Sequence, residues 1–478
     1  MKNDNLIITP SGIRGIVGEG LTVPAVINIV SAFGQWIHKF GNEVIIGRDT
    51  RTSGEMLESA VISALVSVGC KVINLGICPA PVIIYTKNKL KVPGGIIISG
   101  SHNPPEWNAL KFLSQETFLS KAELEEIAEI SDSDKIKYAS WDTLSQIKVI
   151  DPINDYLRDL LKYLKSDSIK EKNKLKVVVD TGAGAAKVIV PKILESLGCE
   201  VKVINNELLE GNDFPRNPEP VESNLESLIE TVRKGQFDVG FAYDCDADRL
   251  GLVGNDGQCY QEDIGLALIT EHTFNELSEE KKKGIFVTNV ASSLMFDSIV
   301  KKYDGSIIRT PIGERYLAEK MFLIEEKKAE LNISKGSFIF GGEGSCGGVM
   351  FPSFNNARDG IFATAKIIEI LVKSGEIISD LISKLPKFYS KRVNISIHGK
   401  DLEIIKHELK NHKITQGKVF SEIGHDIKIL YPDHWFVLIH PSNTEPVIRI
   451  ISEAKSEDLA KKLVQFITQI VQKTSTIS

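Results

Sequence analysis

One pattern constrains this chain more than any other. A short apolar strand is followed by a helical stretch closed at a glycine, then by a second apolar strand, and the order repeats. VIIGRD (44–49) reads as a strand, GEMLESAVISALVSVGC (54–70) has helical periodicity with a stop at Gly69, and KVINLGI (71–77) is the next strand, with GGIIIS after it. The order returns in KLKVVVDTGAG (174–184) and the following AAKVIVPKILESLGCEVKVI, whose SLGCEV echoes the SVGCKV of 67–72. A third copy runs through 282–313, with an Asp-Gly stop between helix and strand. Such alternation builds parallel or mixed sheets covered by helices. The expected fold is α/β: three related α/β domains with mixed sheets over 1–148, 149–258 and 259–380, and a smaller α+β domain over 381–478. The polar, poorly periodic stretch 131–152 marks the first seam, and the texture changes after about residue 385.

The 478 residues suffice for about three or four domains. Apolar residues make up 42% and charged residues 25%, the balance of a globular protein with real cores. The net charge of −6 argues against nucleic-acid binding, which calls for a basic excess, but leaves room for local anion sites. No apolar run approaches the roughly 20 residues of a membrane span, and the first residues lack a signal peptide's apolar core. The six cysteines form no CxxC pair and read as reduced core thiols, so a cytoplasmic location is expected.

Several short motifs carry chemistry. YDCDADR (243–249) follows the apolar VGFAY, so it sits at a strand's end. In an extended or looped backbone, alternate residues point the same way, which crowds Asp244, Asp246 and Asp248 together. Three such carboxylates repel one another unless a hard cation such as Mg²⁺ lies between them; the bland alternative is a solvated acidic turn. SGSHNPP (99–105) also ends a strand, and a tight turn there would expose the Ser101 hydroxyl, with His102, Asn103 and two prolines fixing the loop and Lys111 downstream. It lacks the second glycine of a hydrolase elbow, and a plain polar turn is an equal reading of this loop alone. TPIGERY (310–316), with Gly313, and GGEGSCGG (341–348), with Glu343 and Ser345, are glycine turns that let a ligand approach, or simple bulges. HPSNTEPVIR (440–449) offers Ser442, Asn443 and Thr444 between His440 and Arg449, the composition of an anion nest or of an ordinary polar hairpin. SGIRG and GRDTR place Arg14 and Arg48 in turns beside strands, as surface ion pairs also would.

Taken in order, the Ser101 loop, DCDADR, GGEGS and PSNTEP resemble the α-D-phosphohexomutases along nearly the whole chain. The resemblance implies four domains around a central cleft and interconversion of hexose 1- and 6-phosphates. In that reading Ser101 carries the phosphoryl group and, with Asp244, Asp246 and Asp248, meets Mg²⁺. Lys111, Arg249, Arg14 and His102 line the transfer site, and Lys111 takes part of the acid/base role if burial or Arg249 lowers its pKa. Arg48 lies near the phosphoserine. Gly313, Glu343 and Ser345 read sugar hydroxyls, and His440, Ser442, Asn443, Thr444 and Arg449 grip the other phosphate. A hexose 1,6-bisphosphate serves as intermediate and activator. The expected partner is a small phosphosugar, glucose or mannose phosphate ahead of glucosamine phosphate, and the expected state is a monomer or homodimer. A hinge is expected near 375–390. A sugar-phosphate-binding relative and a metal-dependent phosphatase are the alternatives from other classes.

Three departures stand out. The sugar loop reads Gly342-Glu343-Gly344-Ser345-Cys346-Gly347, without the histidine that many relatives carry. His440 stands where the phosphate loop normally opens with arginine, and a neutral imidazole holds phosphate less well than a guanidinium. Ala109 follows Asn108 where glycine is usual.

Overall fold

A computed structural model describes residues 6–9, 12–132, 136–331, 333–344, 347–396, 402–441 and 447–473. The chain divides into two compact units, one formed by 1–269 with 346–382 and the other by 270–345 with 383–478.

The first unit opens with a seven-stranded mixed sheet. Its order is Ile7–Thr9, Gly12–Ile16, Trp107–Leu113, Gly94–Ile98, Glu43–Arg48, Lys71–Ile77, Ile147–Val149. The last four run parallel and the first three are antiparallel additions. Helices Val23–Ile37, Gly54–Ser67 and Lys121–Asp132 bury Val44, Ile46, Ile96 and Ile98 in one core. Gly94–Ile98 is buried along its whole length, which is why the strand is continuously apolar rather than alternating.

The second sheet, Cys259–Tyr260, Leu250–Gly254, Val239–Tyr243, Lys176–Asp180, Glu200–Ile204, repeats the parallel centre with an antiparallel edge. The SVGCKV and SLGCEV echo is structural as well: Gly69 and Gly198 stop their helices at φ +83° and +88°, a left-handed conformation that disfavours a side chain. The first unit also holds the antiparallel hairpin Val349–Phe351 and Asn355–Asp359, followed by helix Gly360–Ser374. Asp359 caps that helix by accepting from Phe362 N at 2.8 Å and accepts from Tyr156 Oη at 2.6 Å.

In the second unit Gly284–Asn289 pairs in parallel with Ser306–Thr310 and Phe338–Gly342, the strand–helix–strand order expected of the third copy. The C-terminal sheet is antiparallel: Tyr389–Ser396, Val447–Ala454, Trp435–Pro441, Asp426–Tyr431, Val419–Ile423. One core joins it to the helices Leu402–Asn411 and Glu457–Lys473, and a second joins Phe436, Leu438 and Ile451 to Val290 and Leu294. Among the described residues no helix is long and apolar enough to cross a membrane, and the five described cysteines are free, four of them buried.

Candidate active site

Two parallel strands, Glu43–Arg48 and Gly94–Ile98, end side by side, so the loops that follow them leave from one edge of the sheet. Asp49 and Arg51 from one loop build the other. Ser99 Oγ donates to Asp49 Oδ2 at 2.7 Å, and Ser101 N donates to Ser99 Oγ at 2.9 Å. The buried Arg51 guanidinium donates to the carbonyls of Ser101, Asn103, Pro104 and Trp107 at 2.6–3.0 Å. Gly100 makes this possible, since a Cβ there would lie 2.7 Å from Arg51 Cζ. Ser101 is left at φ +50°, a strained conformation for serine that a loop so tied can hold.

The DCDADR segment is the turn between antiparallel strands Val239–Tyr243 and Leu250–Gly254. It is not extended: Ala247 has φ +59°, and the turn brings one oxygen from each of Asp244, Asp246 and Asp248 within 4.8 Å of the others. Backbone bonds dock the turn against the first sheet's loops, Ala80 N donating to Asp246 O at 2.9 Å. Ser101 Oγ donates to Asp244 Oδ2 at 2.7 Å, so residues 143 apart in sequence meet.

All three carboxylates are buried. Burial, then Asp248 and Asp246, push the Asp244 carboxyl well above its ordinary range. Burial also pushes Asp246 up, but the Lys111 ammonium 2.6 Å away outweighs it and holds Asp246 below that range. Asp248 Oδ2 meets Lys111 Nζ at 3.8 Å and Arg358 Nη2 at 2.5 Å. The other oxygens, Asp246 Oδ1 and Asp248 Oδ1, are buried and have no hydrogen-bond partner among the described residues. Orphaned carboxylate oxygens in a cluster of three aspartates are what a hard divalent cation satisfies, and this donor set fits one.

Lys111 lies opposite Ile97 in the sheet, carried there by the antiparallel return of Trp107–Leu113. The expectation that its pKa is lowered is corrected. Burial does lower it, but Asp246 and Asp248 outweigh burial, so Lys111 stands above its ordinary value as an ammonium. His102 Nδ1 lies 3.4 Å from Ser101 Oγ, and burial, with Arg249 and Arg14 nearby, pushes the ring down to about 2, so it is neutral. Arg14 Nη1 donates to Asn103 Oδ1 at 3.1 Å. Arg249 N donates to Asp244 Oδ1 at 3.2 Å, and its Nη1 pairs with Glu219 at 3.2 Å.

Arg48 pairs with Glu58 at 2.6 Å, while Arg51 holds the serine loop. Both arginines belong to GRDTR, but Arg48 still lies in the strand and only Arg51 lies beyond its end. Arg358 was not among the expected residues; nothing in its own sequence neighbourhood points to a partner 110 residues away.

In the second unit Glu343 is buried at the end of strand Phe338–Gly342. Its Oε1 accepts from Gly313 N at 2.8 Å and Asn289 Nδ2 at 3.1 Å, which brings the two glycine loops together. His440 and Arg449 are cross-strand partners, and His440 Nδ1 lies 2.5 Å from Asp426 Oδ1. Ser345, Ser442, Asn443 and Thr444 lie outside the described residues.

Comparisons with known proteins identify the family. Four segments match models described as phosphoglucomutase/phosphomannomutase: α/β/α domain I over 6–137, domain II over 154–257, domain III over 261–389, and the C-terminal domain over 405–470. The chain is 36% identical over 459 residues to a phosphoglucomutase/phosphomannomutase of Thermococcus kodakarensis, covering 95% of this chain and 96% of the relative. It is 33% identical over 468 residues to a probable phosphoglucosamine mutase of the same organism, covering 97% of each. A phosphoglucomutase/phosphomannomutase family protein of Burkholderia thailandensis has the same fold, with a TM-score of 0.81 at 24% identity over 99% of both chains. Four domain matches in order, with 36% identity along nearly all of one relative, establish that the chain belongs to the α-D-phosphohexomutase family and is an isomerase of the phosphoglucomutase/phosphomannomutase type.

Proposed function

We propose that the chain interconverts hexose 1-phosphates and hexose 6-phosphates, with glucose or mannose phosphate as substrate. The observation that carries this is the Ser101 hydroxyl, 2.7 Å from Asp244 within the aspartate cluster. In its working form Ser101 bears a phosphoryl group. The O6 hydroxyl of a hexose 1-phosphate attacks that phosphorus; the Oγ–P bond breaks, the O6–P bond forms and the hydroxyl proton passes to solvent water. The 1,6-bisphosphate turns over, its O1–P bond breaks, Oγ–P re-forms, and O1 takes a proton back from solvent, so the cycle is proton-neutral. Free hexose 1,6-bisphosphate activates by recharging Ser101.

Asp244, Asp246 and Asp248, with an oxygen on Ser101, would hold Mg²⁺. When bound, that ion offsets carboxylate charge and stabilises the charge of the transferring phosphoryl group. Lys111, whose Nζ lies 2.6 Å from Asp246 Oδ2, acts as a cationic donor to phosphoryl oxygens. Arg14 and Arg249 add positive charge beside the serine loop. Glu343, oriented by Gly313 and Asn289, accepts from sugar hydroxyls, and His440 and Arg449 supply donors for the phosphate not being transferred.

A second reading, glucosamine phosphate as substrate, is favoured by the 33% identity to a probable phosphoglucosamine mutase. ³¹P NMR of α-glucose 1-phosphate with protein, Mg²⁺ and a trace of glucose 1,6-bisphosphate tests both. A growing 6-phosphate signal is expected, faster than with glucosamine 1-phosphate. Inorganic phosphate would mean a phosphatase, and no turnover of glucose, mannose or glucosamine phosphate a binding protein.

A further inference from the structure

We propose that Arg358 sets the cation selectivity of the aspartate loop by holding Asp248 to coordination through one oxygen. The inference rests on the reading of the three aspartates as a divalent-cation site. Each of these carboxylates already has an engaged oxygen. Asp244 Oδ2 accepts from Ser101, Asp246 Oδ2 from Lys111, and Asp248 Oδ2 from Arg358 at 2.5 Å. The oxygens left over on Asp246 and Asp248 are the Oδ1 atoms, both buried and without a partner among the described residues. A cation entering the cluster therefore meets one free oxygen from each of these two, and neither can chelate it with both.

That restriction discriminates between ions. Mg²⁺ needs near-octahedral geometry with ligands at about 2.0–2.1 Å, which single carboxylate oxygens and water supply. Ca²⁺ prefers about six to eight oxygens and readily takes a carboxylate by both. A carboxylate clamped at Oδ2 by a guanidinium is thus a good ligand for the small ion and a poor one for the large.

Arg358 is itself well placed to clamp. It sits in strand Asn355–Asp359, one residue before the Asp359 that caps helix Gly360–Ser374 and accepts from Tyr156. Its stem lies against Gly348, where a Cβ would come within 2.4 Å of Arg358 Cγ. Its side chain is 13% exposed and that of Asp248 4%, so water competes little for the pair. Arg358 thus acts through Asp248, as a positioning residue, and outer hydrogen bonds of this kind alter metal affinity by about 10–100-fold.

The test uses the intact chain and the metal ions alone. Mn²⁺ binding is followed by electron paramagnetic resonance, and Mg²⁺ and Ca²⁺ are titrated as competitors for wild type, R358M and R358Q, with thermal unfolding as a check on folding. The reading is the ratio of the Mg²⁺ and Ca²⁺ dissociation constants. Both ions carry the same charge, so deleting the guanidinium charge changes both affinities alike and cancels in the ratio. Freeing Asp248 Oδ2 is expected to move the ratio towards Ca²⁺ by about tenfold in both variants. A ratio unchanged from wild type in both overturns the proposal, however far the separate affinities move. Failure of wild type to bind any of the three ions overturns it together with the metal reading, and leaves the mutase reading to the NMR experiment.

Discussion

Two buried lysines show how differently the two units handle charge. Lys111 in the first unit meets Asp246 at 2.6 Å and Asp248 at 3.8 Å, and these carboxylates hold it above its ordinary pKa despite burial. Lys428 in the second unit is as deeply buried but has no carboxylate ion pair among the described residues. It donates to Val290 O at 2.7 Å and lies 4.1 Å from the Phe436 ring centroid, and burial, reinforced by Arg309, pushes its pKa well below the ordinary lysine range. Burial is common to both, so the partners decide. A charged lysine among carboxylates with unpaired oxygens is poised to meet a ligand. A lysine against a carbonyl and a ring fills the seam beneath the C-terminal sheet.

The comparison can be broken or sharpened by substitution. Ser101→Ala has the largest expected effect, a fall in kcat of about 10⁴-fold or more with folding intact; a mild loss would mean that the first cluster is not a transfer site. Lys111→Met is expected to lower kcat by about 10²–10³-fold. In EDTA it also exposes Asp246 and Asp248 to uncompensated burial, which costs about 3–5 kcal/mol when one partner of a buried pair is removed, and added Mg²⁺ should restore part of the unfolding midpoint. Lys428→Met should do the opposite: kcat unchanged and stability at neutral pH equal to or above wild type, by about 1–3 kcal/mol.

The pH dependence separates the two lysines by sign. Stabilisation from Lys111, whose folded pKa is raised, is present below the ordinary lysine value and is lost as pH rises through the higher folded value. Lys428 has a depressed folded pKa, so stability falls as pH falls from the ordinary lysine value through the folded one. Urea unfolding in EDTA from about pH 6 to 10.5 should therefore show a rise with pH in wild type that flattens in Lys428→Met. The smallest effect is expected at the phosphate end. His440→Arg should lower KM for hexose phosphates by about three- to tenfold with kcat little changed, because a guanidinium offers a permanent, forked donor. An unchanged or higher KM would mean that the pairing of His440 with Asp426 already supplies the grip.

Much of this was legible in the sequence. Alternating strands and glycine-stopped helices follow from local apolar periodicity, and the three echoes of that order predicted three α/β domains before any contact was known. DCDADR carries its own crowding, because three carboxylates in five residues converge in any tight turn. Local chemistry of this kind is written in neighbouring residues.

Partner choice is not. Which arginine of GRDTR reaches the serine loop depended on where the strand ended relative to its parallel neighbour. Whether Lys111 is a base or a fixed ammonium depended on a turn 135 residues away, and the clamp on Asp248 came from a hairpin 110 residues further on. The sequence by itself determined the elements and the reactive residue types, since propensity and periodicity act over a few residues. Only the tertiary structure decided protonation and orientation, because Coulomb energy and desolvation depend on distances between segments remote along the chain.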